Sequence, residues 1–315
     1  MFKKLIPFIK SNNIRNECSY NNNIRKYIKN IGDTPIIKLE ENLYMKLEGH
    51  NPSGSIKDRP ISNMIYNLMI NNQLKSNKTM CIVSSGSAGM SLYNINKIIN
   101  NNMNIVIAMP YKYHTNDIPK KLIDKKDVKV CYSYKNVIRS IKKNPGKVYI
   151  LLLDDIFINI VDKMKIVSEK NQWIKLDQHY NKDCMNTHSK TCNEIIDELP
   201  DVTDVVCSTG TGGTAAGLIK FLPKHVKVHS RATTSGEIDG LGDVEKYDNF
   251  CDQSKIYGYH KTNFTIKDAK YNQDLINRKY DLKVGQSTGA SHWLANCIIN
   301  PNKKVLIISP DGISM

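Results

Sequence analysis

Lys57 has the setting in this sequence that most clearly suggests chemistry. It lies in HNPSGSIKDRP, residues 50–60, after a Ser-Gly-Ser turn and just ahead of a helical pattern. Gly54 permits tight backbone geometry, and the amide groups of a helix N-terminus carry partial positive charge. That charge and removal from water both favour the neutral amine, a nucleophile that can form a Schiff base. The alternative is an exposed lysine beside a turn.

A glycine-rich turn farther along the chain has the composition of an anion-binding loop. Residues 210–214, Gly-Thr-Gly-Gly-Thr, connect an apolar strand pattern to a helical pattern. Glycines let backbone N–H groups converge, threonine hydroxyls add donors, and a helix N-terminus favours an anion. The turn is not a Walker loop, because no lysine follows it, and it lacks the full GxGxxG spacing. We therefore predict a phosphate-binding turn.

Two further turns contain serine. The segment VGQSTGASHWLANC, residues 284–297, places Ser287 before a helical pattern, where capping the helix is its alternative role. The segment SSGSAG, residues 84–89, nearly matches the nucleophile elbow of hydrolases around Ser87. Serine at position 85 replaces the required glycine, however, and the sequence has no HGGG segment for an oxyanion hole. We therefore reject a serine hydrolase.

The turns lie in a chain that alternates strand and helix patterns. Short apolar runs bounded by turn residues indicate strands, and apolar residues at helical spacing indicate helices. This alternation predicts an α/β fold with a parallel sheet. We place an N-terminal domain at 1–165 and a C-terminal domain at 166–315. Strand patterns cover 43–47, 79–85, 103–110 and 304–310, helical patterns cover 61–69 and 92–99, and residues 204–222 read as strand, turn and helix.

Charge gives little guidance to partners. The 45 Lys and Arg outnumber the 30 Asp and Glu, for a net charge of +15. The lysines look scattered, with short runs such as KKLIDKK and no interleaved aromatic residues. The abundance of Asn, Lys and Ile also resembles the output of an AT-rich genome. We therefore predict no nucleic-acid partner.

Cysteine, histidine and hydropathy patterns bear on the redox compartment, on metal sites and on membrane spans. Eight cysteines include no CxxC pair, and Cys81 and Cys207 lie in apolar runs typical of buried strands, so we expect a reducing compartment. Eight histidines lack metal-site spacing, which predicts no metal. No apolar run is long enough to span a membrane. Residues 1–15 are basic, but Pro7 favours a disordered leader over a mitochondrial transit peptide, so we expect a cytoplasmic protein.

Together these segments resemble, in order and spacing, the cysteine synthase and cystathionine β-synthase branch of the pyridoxal-phosphate enzymes with the tryptophan synthase β-subunit fold. The resemblance runs from IGDTPIIKL at 31–39 to VLIISPDG at 305–312. KLEGHNPSGSIKDR resembles that family's cofactor-lysine segment, STGTGGTAAG its phosphate loop, EIDGLG its glycine loop, QSTGA its pyridine-contacting turn and DQHYNKDCMNTH its segment with a substrate-facing glutamine.

The resemblance implies a two-domain fold of parallel sheets flanked by helices, with a small mobile subdomain in the N-terminal part, and pyridoxal phosphate as cofactor. Lys57 would form the Schiff base and, when freed, remove the substrate α-proton. Ser287 would bond the pyridine nitrogen, and a neutral hydroxyl there favours elimination of a β-leaving group. The phosphate would be held by Gly210, Thr211, Gly212, Gly213 and Thr214. The substrate would contact Ser84, Ser85, Gly86, Gln178 and Gly240.

The serine loop departs from the family's TSGNTG. Ser87 replaces the asparagine that contacts the ring hydroxyl of the cofactor, and Ala88 replaces a threonine that helps bind the substrate carboxylate. Ser87 is shorter, and Ala88 removes a donor. These changes bear on substrate affinity and on whether the protein is active.

Three functional hypotheses follow. The first is β-replacement on an activated serine, making cysteine from O-acetylserine and sulfide. The second is a sister activity, either cystathionine synthesis or synthesis of a 2,3-diaminopropionate precursor. The third is a catalytically degenerate protein that binds a partner, as this family binds serine acetyltransferase. The resemblance also implies a homodimer acting on a small amino-acid substrate.

Overall fold

The computed structural model describes residues 23–74, 78–99, 103–231, 238, 241, 258–259 and 264–312. They form two β-sheets, mainly parallel and flanked by helices, which confirms the predicted α/β class. Within the described ranges, no helix is long and apolar enough to cross a membrane. The same ranges hold no group of three or more His, Cys, Asp or Glu able to bind a metal.

The strands and helices alternate along most of the chain. The strands are β1 (Ile36–Glu40), β2 (Leu43–Leu47), β3 (Thr79–Val83), β4 (Asn104–Pro110), β5 (Val128–Cys131), β6 (Val148–Leu153), β7 (Ile174–Lys175), β8 (Asp204–Ser208), β9 (Lys227–Arg231), β10 (Gly258–Tyr259) and β11 (Val305–Ser309). The helices are α1 (23–29), α2 (Asp58–Ile70), α3 (Ser87–Ile99), α4 (Asp117–Ile123), α5 (Tyr134–Lys143), α6 (Phe157–Lys170), α7 (Asp183–Asn186), α8 (His188–Glu198), α9 (Gly213–Phe221), α10 (Ile266–Tyr280) and α11 (Gln286–Ile298).

The five-stranded sheet has the order β5-β6-β4-β3-β7, and its strands are parallel. Every residue of β3 and β4 is buried, because helices cover both faces of the sheet. Apolar residues of α1 to α4 pack on one face. Residues of α5 and α6, among them Val137 and Ile160, pack on the other. Cys81 is buried in β3, as its apolar run predicted.

The six-stranded sheet has the order β1-β2-β11-β8-β9-β10. Strand β11 lies between β2 and β8 and is parallel to both, so the last strand sits beside one of the first. Strands from both sides of residue 165 therefore contribute to each sheet: β1 and β2 join the larger one, and β7 joins the smaller. The proposed domains, 1–165 and 166–315, stay a prediction.

Candidate active site

The loop carrying Lys57 is fixed on both sides by backbone hydrogen bonds. Gly54 has φ +85°, in the region that favours glycine, and its N–H donates to the Asn51 carbonyl. The Ile56 N–H donates to the Pro310 carbonyl at 2.6 Å, and the Gly312 N–H donates to the Gly54 carbonyl at 3.2 Å. The segment after β11 thereby holds the lysine loop against the larger sheet.

Asp58 fixes the start of α2, directly after the lysine. Its carboxylate accepts hydrogen bonds from the Ser53 N–H and the Ser53 hydroxyl, both at 2.6 Å. The Ser91 hydroxyl of α3 also donates to it at 2.6 Å. These bonds join the turn before Lys57 to the helix that follows the serine loop. They therefore limit the positions that the lysine backbone can take.

The surroundings of Lys57 favour its neutral amine. Burial lowers the pKa of its side chain, while the nearby Cys184 and Asp311 oppose that shift. Removing an ammonium from water destabilises the charged form more than these two groups stabilise it. This direction is the one expected from the lysine's position. It supplies a nucleophilic amine.

The glycine-rich turn lies between β8 and α9, as predicted. Gly212 has φ +86° and caps the first turn of α9. A Cβ added to Gly213 would lie 3.5 Å from the Cβ of Cys184, a residue close enough to Lys57 to influence its pKa. The turn and the lysine therefore face one region. The first N–H groups of a helix have no partner within it, so α9 offers donors to an anion there.

Gly212→Ala will lower the free energy of unfolding of the cofactor-free protein by about 1–3 kcal/mol, the cost of a non-glycine residue at positive φ. Gly213→Ala is the matched control, because its new methyl would meet Cys184 at an ordinary 3.5 Å. We expect that control to change stability by no more than about 0.5 kcal/mol. Urea denaturation measures both variants. Equal losses at the two positions would refute the conformational argument.

Ser287 contributes a buried hydroxyl without a hydrogen-bond partner among the described residues. Its side chain lies in the first turn of α11 and is 1% exposed. The neighbouring Thr288 hydroxyl, by contrast, is 2.9 Å from the Ser309 hydroxyl. A buried polar group left unpaired costs stability, so such a group in a native fold suggests a ligand. The predicted pyridine contact would give Ser287 that partner.

Asp311 places Ser287 and Lys57 at the same end of the larger sheet. Gly285 lies two residues before Ser287. A Cβ added to Gly285 would lie 2.5 Å from the Oδ1 of Asp311. Asp311 also pairs with Ser55 in an isolated β-bridge, and its charge acts on Lys57. The sequence reasoning missed this residue. Its position directly after a parallel strand, where ligand sites form, was the available signal.

The serine loop follows β3 and leads into α3. The Ser84 hydroxyl accepts hydrogen bonds from the N–H groups of Gly86 at 3.0 Å and Gly89 at 3.1 Å. Ser85 is exposed, and Ser87 is the first residue of α3. A Cβ at Gly86 would lie 2.9 Å from Pro119 of α4, so the loop packs closely on that helix. Ser84 thus shapes the loop.

Gln178 lies beside the serine loop. Its Nε2 donates to the Val83 carbonyl at 2.7 Å, immediately before Ser84. Burial lowers the pKa of the next residue, His179, to about 4, and the charge of Lys57 contributes to that shift. The segment therefore lies between the serine loop and the lysine. Gly240, also predicted to lie near the substrate, is outside the described residues.

The comparisons with known proteins agree with this geometry. The sequence pattern of a family described as pyridoxal-phosphate dependent enzyme matches residues 28–234. The chain belongs to this family. Cysteine synthase of Aquifex aeolicus is 25% identical over 315 residues, covering 90% of this chain and 88% of that protein. Cysteine synthase B of Campylobacter jejuni is 27% identical over 307 residues, covering 89% and 93%.

Solved structures of other enzymes share the fold. A hydrogen sulfide-producing enzyme from Fusobacterium nucleatum superposes with a TM-score of 0.73 and 21% identity, covering 91% of this chain and 98% of that one. The O-acetylserine-dependent cystathionine β-synthase of Helicobacter pylori superposes with a TM-score of 0.72 and 22% identity, covering 91% of this chain and 95% of that one. The predicted tryptophan synthase β-like architecture is confirmed.

The cofactor of this pyridoxal-phosphate enzyme is the predicted one, and the residues present fit it. An amine with a lowered pKa suits its aldehyde, since only the neutral amine attacks a carbonyl carbon. A helix N-terminus behind a glycine turn suits its phosphate. The buried hydroxyl of Ser287 suits a ring nitrogen. Each chemical end of the cofactor thus has a matching group.

Proposed function

We propose that this enzyme catalyses β-replacement on an activated serine, in which O-acetylserine and sulfide give cysteine and acetate. The observation that carries the proposal is the convergence of the desolvated Lys57, the glycine turn and the buried Ser287 hydroxyl around one region. Similarity to cysteine synthases along about nine-tenths of the chain supports the choice of reaction.

Lys57 has two roles in this proposal. Its amine holds the cofactor covalently and, once released, takes the proton from the substrate α-carbon. Bound pyridoxal phosphate supplies an electron sink for the electrons left on that carbon. A general base works best when its pKa lies near the working pH, and burial moves the pKa of Lys57 in that direction.

The other predicted residues bind and orient. We assign the cofactor phosphate to residues 210–214 and the pyridine nitrogen to Ser287. The substrate carboxylate would lie at the N-terminus of α3, which carries Ser87 and begins just after Ser85 and Gly86. Ser84 and Gln178 hold this loop by hydrogen bonds, so we assign them positioning roles. Gly240 remains a proposed substrate contact.

The direct test is turnover by purified protein supplied with pyridoxal phosphate. We expect a visible absorbance band that requires Lys57 and changes on adding O-acetylserine, with cysteine formed when sulfide follows. Reaction with homocysteine or an amine instead of sulfide would favour the sister activities. The cystathionine β-synthase of Apis mellifera, 26% identical over 90% of this chain and 58% of its own length, makes homocysteine the first alternative. A stable band without turnover would favour the non-catalytic binder.

Ser287→Ala will weaken cofactor binding about 3- to 10-fold, the worth of one hydrogen bond. Ser291→Ala is the matched control. Ser291 lies one turn along α11, and its hydroxyl is also buried without a hydrogen-bond partner in the described part of the chain. We expect both variants to be at least as stable as the unaltered cofactor-free protein, because each loses a buried hydroxyl without a partner among the described residues. Titration with pyridoxal phosphate separates them, and equal affinities would contradict the assignment of Ser287.

A homodimer and a serine acetyltransferase-type partner also remain proposals. Light scattering of the purified protein tests the first. Co-purification with an added serine acetyltransferase tests the second. Neither outcome affects the assignment of the chemistry, which concerns residues of one chain.

A further inference from the structure

Residues 111–147, all of them described, concentrate positive charge. They contain eleven Lys and Arg against three Asp, a net charge of +8 out of +15 for the whole chain. Positive charge is therefore denser in this segment than in the rest of the chain. We call these eleven residues the basic edge, and the side chain of each is exposed: Lys112, Lys120, Lys121, Lys125, Lys126, Lys129, Lys135, Arg139, Lys142, Lys143 and Lys147.

The basic edge surrounds the outer strand of the five-stranded sheet. β5 pairs with β6 and ends the sheet order on that side. Helix α4 packs on one face of the sheet through Leu122, and α5 packs on the other through Val137. Cations project from α4, from the turn after it, from β5 and from α5. Positive charge therefore covers both faces and the rim of this edge.

Four cations form a stripe on α5. Lys135, Arg139, Lys142 and Lys143 follow the spacing i, i+4, i+7, i+8, which places them on one side of a helix. The stripe is roughly 12 Å long at 1.5 Å per residue. The apolar residues of α5 face the sheet instead. A line of cations of this length fits a polymer with regularly spaced negative charges.

Within segment 111–147, which the structure describes in full, three acids face eleven cations. Asp127 lies just before β5, but its carboxylate is 2.9 Å from the amine of Lys97, which lies outside the segment. Hydrogen bonds from Lys97 and Tyr93 help lower the pKa of Asp127 despite opposition from burial. The remaining acids of the segment are Asp117 and Asp124, each exposed on the α4 side.

Two exposed aromatic rings lie among the cations. Tyr132 directly follows β5 and is 64% exposed, and Tyr111 precedes α4 and is 46% exposed. Nucleic-acid bases stack on such rings, whereas their phosphates pair with neighbouring cations. A lysine on an edge strand also prevents unwanted strand pairing, which accounts for Lys129. That role does not account for the stripe on α5 or for the cations of α4.

We propose that the basic edge binds single-stranded nucleic acid. A flexible strand can follow cations around both faces of the sheet edge, whereas a stiff duplex would reach one face. The exposed tyrosines suit unpaired bases, which a duplex does not present. This reverses the expectation from the sequence of no nucleic-acid partner. The proposal does not depend on the reaction that the enzyme catalyses.

The test measures binding of a fluorescein-labelled single-stranded RNA and of its duplex by anisotropy at several salt concentrations. The edge variant is Lys135→Gln, Arg139→Gln, Lys142→Gln and Lys143→Gln together. The matched control is Lys165→Gln, Lys170→Gln, Lys267→Gln and Lys270→Gln, which removes the same charge from exposed residues outside the edge. Unchanged unfolding midpoints in urea establish that both variants are folded.

We expect the edge variant to bind single-stranded RNA at least about tenfold more weakly at low salt. Its plot of log affinity against log salt should be shallower by about 3, since each phosphate contact contributes about 0.7. The control should stay within about twofold of the unaltered protein. Equal losses in both variants, tighter binding of the duplex, or competition by polyglutamate as effective as by unlabelled RNA would each overturn the proposal.

Discussion

Lys57→Met will lower turnover of O-acetylserine by at least about 10²–10⁴-fold, the usual contribution of a catalytic base. The same substitution will raise the free energy of unfolding of the cofactor-free protein. Methionine has a similar length and no charge, so it avoids the cost of removing the lysine amine from water. Opposite effects on activity and stability are expected of a residue kept for chemistry.

The stability gained by Lys57→Met should depend on pH. The folded protein lowers the pKa of Lys57 from its ordinary value of 10.5, so the unfolded chain binds more protons at this residue. The contribution of Lys57 to stability therefore rises with pH between the lowered pKa and about 10.5. The advantage of Lys57→Met should be greatest at neutral pH and shrink as pH approaches 10.5.

Urea denaturation of the cofactor-free proteins at pH 7 and pH 10 measures this difference. Lys190→Met is the control, because the side chain of Lys190 is nearly half exposed and pairs with Asp33 at the surface at 2.9 Å. We expect that control to keep turnover and to change stability by less than about 1 kcal/mol. A Lys57→Met protein that still turns over O-acetylserine would refute the assigned role. A stability difference independent of pH would refute the electrostatic account.

The sequence predicts local structure well where apolar residues are bounded by turn residues. The run predicting a strand at 79–85 forms β3, and the strand, glycine turn and helix predicted at 204–222 form β8, the turn and α9. Strand order was not predictable in this way. The insertion of β11 between β2 and β8 depends on pairing of Val305 with Leu43 and with Asp204, which lie far apart in the chain and which no local pattern records.

The sequence patterns assign no strand or helix to the lysine-rich segment 111–170. Its many lysines hid an ordinary amphipathic pattern, in which Val137, Ile138 and Ile141 of α5 face the sheet while the cations face water. The helix was therefore readable in principle. The gathering of its cations with those of α4 was not, because it needs the two helices to lie on opposite faces of one strand.

In the candidate site too, local structure could be predicted from the sequence and long-range contacts could not. Each of the turns that carry predicted residues follows a strand or precedes a helix, so a position beside the ends of the strands could be expected for them. Cys184 could not be singled out, because its relevance comes from contacts between distant segments. Cys184 joins the glycine turn to the lysine only through packing of α7 on α9.

The second large effect concerns a buried ionic cluster behind the lysine loop. Arg59, two residues after Lys57, bonds Glu48 through Nε at 2.7 Å and Nη2 at 2.8 Å. The same guanidinium bonds Glu194 of α8 through Nη1 at 2.9 Å and Nη2 at 2.6 Å. Lys46 completes the cluster at 2.8 Å from Glu194. Two cations thus balance two carboxylates with little access to water.

Arg59→Met will lower the free energy of unfolding by about 3–5 kcal/mol, because Glu48 would stay buried without its guanidinium partner. Lys279→Met is the control, since its pair with Glu40 is half exposed on both sides and should be worth at most about 1 kcal/mol. Urea denaturation at pH 7 measures both. Similar small losses would show that the cluster adds little to stability.

The acid limb of the stability curve tests the same cluster independently. Burial alone would raise the pKa of Glu194, but hydrogen bonds and charge from Arg59 lower it to about 2. Its contribution is therefore present above its ordinary pKa of 4.5 and is lost as pH falls towards 2. Glu194→Gln should flatten the loss of stability between these values. Glu194 reaches Arg59 from α8. If the free energy of unfolding of Glu194→Gln fell with pH as steeply as that of the unaltered protein, contacts other than this cluster would hold α8 to the lysine loop.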